Sequence, residues 1–229
     1  MAFWIDLVIV AAVAFCAWRG FKNGLIRGVF GVAALIAALL IANIIATAYS
    51  QEFTGMLKPF IGGIVENAIT DVIGEGLESD YDGLEHESVY FGAAYSAMRQ
   101  IGLPEASAAY IAEHTALEEG TIISLADRIS DRLSSTLAFV AVFGIAFMLL
   151  SIIAAIIGNL IGFVFSLPGL KHIDAIAGIV FGLAKGLIIV FALASIVRYF
   201  GLFAQTTLEG TTVLNYLINN NPIAAIIGI

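Results

Sequence analysis

Apolar residues in this chain fall in long blocks set apart by short polar turns, with one extended polar interval between the second and third blocks. Phe3 to Trp18 is apolar except for Asp6, and Trp4 and Trp18 stand near its ends, where aromatic rings favour a membrane interface. A basic turn follows, Arg19-Gly20-Phe21-Lys22-Asn23-Gly24, with Arg27 just beyond it. Val29 to Ala48 then runs without a charge, and a bilayer core of ~30 Å needs about 20 such residues as helix. The third block, Leu137 to Phe165, is longer than a span requires and closes on Ser166-Leu167-Pro168-Gly169; the fourth runs from Ile173 to Tyr199.

The interval between the blocks has a different period. Phe53, Met56, Leu57, Phe60, Ile61, Ile64 and Val65 recur at helical spacing among Glu52, Lys58 and Glu66, which predicts an amphipathic helix rather than a span, with a bend at Gly62-Gly63. Asp71 to Glu87 is acidic and glycine-bearing and predicts a loop. Helical patterns resume over Val89–Ile101 and Ala106–Ala116, with Pro104 ahead of the second, and Thr121 to Ser135 is amphipathic and continues into the third block. The expected fold is all-α: a polytopic membrane protein of about four transmembrane helices, arranged as two glycine-rich hairpins plus an acidic extramembrane helical insert. Four regions follow. Residues 1–49 are the first transmembrane hairpin, 50–136 the acidic amphipathic insert, 137–205 the second hairpin and 206–229 a C-terminal tail. The tail holds a polar turn, Asn219-Asn220-Asn221-Pro222, and its last apolar run is too short to cross.

Composition agrees with this pattern. Of the 229 residues 60% are hydrophobic and 12% charged, with a mean hydropathy of +0.99, whereas soluble domains carry about 25% charged residues. The net charge of −8 is unevenly placed: residues 51–136 hold fifteen acidic against four basic residues, leaving the remainder with a positive balance. No basic face is large enough to neutralise phosphates, which excludes nucleic acid as a partner. The single cysteine, Cys16, lies in the first block, so no disulfide framework or CxxC metal site is available. Nothing basic precedes Phe3, so the first block is expected to be retained rather than cleaved as a signal peptide. Lys and Arg in short loops set orientation: Arg19, Lys22 and Arg27 in the first hairpin and Lys171 in the second place both turns in the cytoplasm. The N-terminus, the acidic insert and the C-terminal tail are then extracytoplasmic.

Two segments share a glycine ladder, Gly20-x-x-x-Gly24-Leu25-x-Arg27-Gly28 and Gly178-x-x-x-Gly182-Leu183-x-Lys185-Gly186. Glycines four apart lie on one helical face, where two backbones can approach closely in lipid. The ladders therefore nominate Gly20, Gly24, Gly28, Gly178, Gly182 and Gly186 as packing positions and suggest an internal duplication. Asp6, Asp174 and Lys185 are intramembrane polar residues, and a charge in the bilayer usually faces a partner or water. Asp174 and Lys185 stand about 16 Å apart along a straight helix, so Lys185 is expected to pair with Asp6, or with Asp174 if the segment from Asp174 to Gly186 re-enters the membrane rather than crosses it.

At these residues the chain resembles the colicin V production protein family (CvpA). The resemblance rests on Trp4-Ile5-Asp6, Arg19-Gly20-Phe21 and above all Asp174-x-x-x-Gly178-x-x-Phe181-Gly182-x-x-Lys185-Gly186. It implies a multi-pass protein of the bacterial cytoplasmic membrane, linked to colicin V or toxin production and export and to envelope homeostasis, with no settled biochemical activity. Expected partners are the lipid bilayer and a second copy or other envelope proteins.

The sequence holds no GxxxxGK[ST], HExxH, GxSxG or strand-to-helix GxGxxG motif, so no enzyme, cofactor, catalytic residue or metal is expected. Asp80 to Glu87 is acidic enough to suggest divalent-cation ligation but lacks the spacing of a calcium loop and is expected to be solvated. His114, beside Glu113, is expected on a helix surface. A non-enzymatic membrane scaffold is the principal functional expectation; a small transporter or channel using Asp6, Asp174 and Lys185 is the alternative.

Overall fold

A computed structural model describes residues 2–74, 86–116, 122–164, 171–200 and 210–223. Within these the chain forms six helices: α1 (Ala2–Gly74), α2 (His86–Gln100), α3 (Glu105–Ala116), α4 (Ile122–Val164), α5 (Lys171–Phe200) and α6 (Val213–Asn219). Most of the acidic loop expected at Asp71 to Glu87, the Ser166–Gly169 turn and most of the last apolar run lie outside the described residues, as does the acidic stretch considered for a cation up to residue 85.

Three helices are long and apolar enough to cross a membrane, within Phe3–Asp71, Ala126–Gly158 and Asp174–Tyr199. The first two apolar blocks both fall on α1, which is broken at a single residue: Gly24 has φ 77° and ψ −179°. This is the left-handed half of backbone space, open to glycine at little cost, and it divides α1 into a first arm, 2–23, and a second arm, 25–74. The backbone remains helical through Gly62-Gly63, and α1 runs to Gly74 rather than ending at Asp71. The expected entry of the amphipathic stretch 121–135 directly into the third block is what α4 does. Its 43 residues extend about 65 Å, twice the hydrocarbon thickness. α5 is unbroken through Gly186, so a re-entrant segment has no point at which to turn. The C-terminal stretch expected as a tail contains α6.

The chain divides into two compact units. The first comprises Met1–Ala46, Val142–Ile196 and Thr206–Gly228; the second is mainly Thr47–Ala141. In the first, Ile145, Met148, Leu149, Ile152, Ile153, Ile156 and Ile157 of α4 are all exposed, the distribution expected of a helix whose solvent is lipid.

The second unit has an ordinary buried core. Ile61, Val65, Ala68 and Ile69 of α1 pack with Ala94, Ala97 and Met98 of α2, Ala108, Ile111 and Ala112 of α3, and Ile129 and Leu133 of α4. The broad apolar face anticipated over 53–65 is divided: Leu57, Ile61 and Val65 turn to this core, while Phe53, Met56, Phe60 and Ile64, one stripe round the helix, are exposed. Between α2 and α3 the chain makes a Schellman turn. Leu103 N–H donates to the Met98 carbonyl at 3.1 Å and Gly102 N–H to that of Arg99 at 3.0 Å, with Gly102 at φ 96° and Met98 and Leu103 both buried in the core. Pro104 stands just ahead of α3, its carbonyl accepting from Ala108 N–H at 2.9 Å. Lys58 bridges to Asp127 and Asp131 at 3.1 and 2.8 Å, with all three side chains well exposed.

Candidate functional site: the glycine seam, two aspartate caps and a lysine groove

The six ladder glycines and Asp6, Asp174 and Lys185 all lie in the first unit. Gly20 is buried where the first arm of α1 crosses α5, and a Cβ added to it would stand 2.8 Å from the Gly182 Cα. A Cβ on Gly182 would meet the Cys16 carbonyl at 2.5 Å and the Gly20 Cα at 3.0 Å; one on Gly186 would lie 3.1 Å from the Cys16 Cβ and 3.3 Å from the Val13 Cα. Gly178 stands against the backbone of both Gly20 and Gly24. The opposing groups are mostly main chain, which cannot give way as a flexible side chain would.

The direction of the chain follows from the same contacts. Along the first arm, Val13, Cys16, Gly20 and Gly24 meet α5 at Gly186, Gly182, Gly178 and Asp174 in turn, so the two run antiparallel. Beyond Gly24, Gly28 faces Phe181, with a Cβ 2.7 Å from that of Phe181, and Gly31 faces Lys185. The second arm therefore runs with α5, and the reversal occurs at Gly24.

A helix restarting at Leu25 has N–H groups without intrahelical partners. Asp174, near the start of α5, supplies the acceptor: its Oδ1 takes the Leu25 N–H at 2.7 Å. Its carboxylate also fills the space over Gly24 in which any side chain would have to fit. Asp6 plays the same part elsewhere. Its Oδ2 accepts from Thr212 N–H at 2.8 Å, and its Oδ1 from Val213 and Leu214 N–H at 3.2 and 3.1 Å. Thr212, at the cap position of α6, makes no side-chain cap of its own. Both aspartates thus cap a helix remote in sequence, and negative charge is favoured at such ends. Asn221 completes the attachment of α6, its Nδ2 donating to the Phe191 carbonyl at 2.9 Å and to Ser195 Oγ at 3.0 Å.

Lys185 pairs with neither aspartate: Asp174 stands about 16 Å away along unbroken α5, Asp6 is engaged with α6, and no ion pair of Lys185 occurs among the described residues. It lines a cavity of about 320 Å³ with Phe147, Ser151 and Ile152 of α4 and Ile189 and Leu193 of α5. Of the basic residues expected to set topology, Arg19 and Lys22 are exposed or half-exposed near the Gly24 reversal. The Lys22 ammonium lies 4.0 Å from the centre of the Trp18 ring, a cation–π contact suited to an interface; Arg27 is half-buried. The Lys171 side chain is not among those described.

In the second unit a polar cleft of about 300 Å³ is lined by His114, Thr115, Arg128, Asp131, Arg132 and Ser135. Exposed His114 has Nδ1 2.8 Å from the carbonyl of Tyr110 on its own helix, and Arg132 donates to the Tyr110 hydroxyl at 2.7 Å.

Sequence reasoning did not anticipate the two caps, the Asn221 clamp or the cavity beside Lys185. An aspartate inside an apolar block signals that something must accept or donate there, but its partner lies 149 residues away for Asp174. The polar turn at Asn219–Pro222 and the Thr211-Thr212 pair ahead of Val213 were the available local signs of α6.

The sequence profile of a family described as colicin V production protein matches residues 5–98 and 107–222. No curated protein and no solved structure matches.

Proposed function

The chain belongs to the colicin V production protein family, and from that premise we propose that it is a non-enzymatic scaffold in the bacterial cytoplasmic membrane, serving toxin production or export and envelope homeostasis. Four segments cross: residues 3–23 and 25–48 of α1, the apolar part of α4, and α5. The turns at Gly24 and between α4 and α5 lie in the cytoplasm, and the 50–136 insert and both termini lie outside. The observation that carries the proposal is the seam of Gly20, Gly178 and Gly182, where main chain rests on main chain and both neighbouring polar groups serve as caps. Such an arrangement fixes helix positions and gives both Asp6 and Asp174 a structural use as caps. Its use is to hold a rigid surface for a second copy or another envelope protein.

Gly182→Ile tests this. The branched side chain would have to enter space occupied by the Cys16 carbonyl and the Gly20 Cα, so reduced thermal stability in detergent and reduced crosslinking of assemblies in membranes are expected. Unchanged stability together with unchanged crosslinking would overturn the packing role. Orientation is tested in a Cys16→Ala background: a cysteine at exposed Glu113 should react with an impermeant thiol reagent from outside intact spheroplasts, and one at Lys22 should not. A permeation path is less well supported, because of the three charges it would use only Lys185 is left unengaged by backbone.

A further inference from the structure

We propose that the groove beside Lys185 is a binding site for a long-chain fatty acid, which enters sideways from the bilayer and places its carboxylate on the Lys185 ammonium. The groove is apolar along its length. Lys185, Ile189, Leu193 and Ile196 form one stripe of α5, about 16 Å long, facing Phe147 and Ile152 of α4. At the far end Gly144 stands against Ile196. The cation is confined to the other end, where its Nζ lies level with Gly31 of α1, 3.9 Å from where a Cβ would be. Among the described residues it has no ion-pair or hydrogen-bond partner. A cation within the bilayer calls for an anion, and an apolar channel leading away from it calls for a hydrocarbon chain.

Two further observations narrow the occupant. Ile152 and Leu193 at the mouth are 53% and 47% exposed, so the groove opens towards lipid and is entered from there. The ammonium, moreover, lines the groove itself. A carboxylate joined directly to its chain puts the charge at that point, whereas a phospholipid's phosphate is held away from its acyl chains by the glycerol ester. The Ser151 hydroxyl, buried without a hydrogen-bond partner, lies in the groove wall.

The site is independent of the scaffold proposal and requires only that this unit lie in a bilayer. The test uses the full-length protein in lipid nanodiscs and a palmitate analogue carrying a diazirine at its methyl end. Saturable labelling is expected, mapping to residues 144–155 or 189–196, competed by palmitate and not by methyl palmitate. Lys185→Met should weaken labelling tenfold or more, as loss of a hydrogen bond to a charged group implies, while Lys185→Arg retains it; melting curves of both variants check folding. The ligand comparison needs no variant. Equal competition by methyl palmitate would overturn the proposal by showing a groove that lipid merely wets. Equal competition by phosphatidylglycerol would assign the site to phospholipid instead. A disulfide-linked dimer from Ile152→Cys in a Cys16→Ala background would assign the groove to a second copy.

Discussion

Removing the Asp6 carboxylate should release α6 from the bundle without unfolding the rest. Asp6 accepts three backbone N–H bonds at 2.8–3.2 Å from residues 212–214. Thr212 is exposed and Leu214 buried, so in Asp6→Ala water can serve the first donor but not the last. Replacing a capping side chain by alanine costs about 0.5–2 kcal/mol, and hydrogen bonds to charged groups are worth about 1.5–3 kcal/mol each. With one of three donors left unserved, the top of the capping range applies, about 2 kcal/mol. That corresponds to roughly a 30-fold rise in local opening of the segment. Asp6→Asn keeps an oxygen acceptor and loses the charge, so about 1 kcal/mol and roughly a fivefold rise are expected. The reporter is Leu217→Cys in a Cys16→Ala background, since Leu217 is 5% exposed in α6 and Cys16 is the only native cysteine. Thiol labelling of the folded protein in detergent should be slowest with the native aspartate, faster in Asp6→Asn and fastest in Asp6→Ala, by those factors. A control cysteine at Ala112, buried in the second unit, should keep its rate. If Leu217→Cys labels no faster in Asp6→Ala than with the native aspartate, the carboxylate does not hold α6 and the capping argument fails.

Three further outcomes are expected. Gly24→Ala puts a side chain into a positive-φ, extended-ψ conformation that is essentially glycine-only, a cost of about 1–3 kcal/mol, and its Cβ would displace the Asp174 carboxylate from the Leu25 N–H. It should therefore lower the thermal midpoint more than Gly63→Ala, a site with open space round it. Asn221→Ala removes donors to the Phe191 carbonyl and Ser195 Oγ and the acceptor for Ile223 N–H. A loss of about 1–3 kcal/mol should appear as faster proteolysis after residue 210, and Asn221→Asp should not restore it, because a carboxylate cannot donate to a carbonyl. Lys58→Ala should shift stability by less than about 1 kcal/mol, since its pairs with Asp127 and Asp131 are exposed; a large shift of the midpoint in a urea titration would contradict this.

The long helices were legible because lipid imposes a length: a block of apolar residues must continue until it has crossed. That is why Val29–Ala48 and the block from Leu137 were read as long helix, although α1 continues past Ala48 to Gly74 and α4 begins at Ile122, ahead of Leu137. The glycine spacing likewise pointed to the faces that meet, because only glycine allows main chains to approach as Gly20 and Gly182 do. Local turn chemistry was partly legible, as with Pro104 ahead of α3. Two things were not. The apolar face over 53–65 is wider than the core it meets, and nothing in its periodicity tells Leu57 and Ile61, which are packed, from Met56 and Phe60, which are bare. The partners of Asp6, Asp174 and Lys185 were equally hidden, because charge arithmetic favours pairing opposite signs and the fold satisfies the two aspartates with backbone.

That choice has a physical reason. A soluble helix that begins at Leu25 or Val213 can leave its first N–H groups to water. Leu25, at the Gly24 reversal, is half-buried, and its N–H is served by the Asp174 carboxylate rather than left to water. The carboxylates serve these donors as caps, and Lys185 has no ion-pair or hydrogen-bond partner among the described residues. The ammonium stands at one end of an apolar groove, which is why an anion of the membrane phase, rather than either aspartate, is the group that suits it.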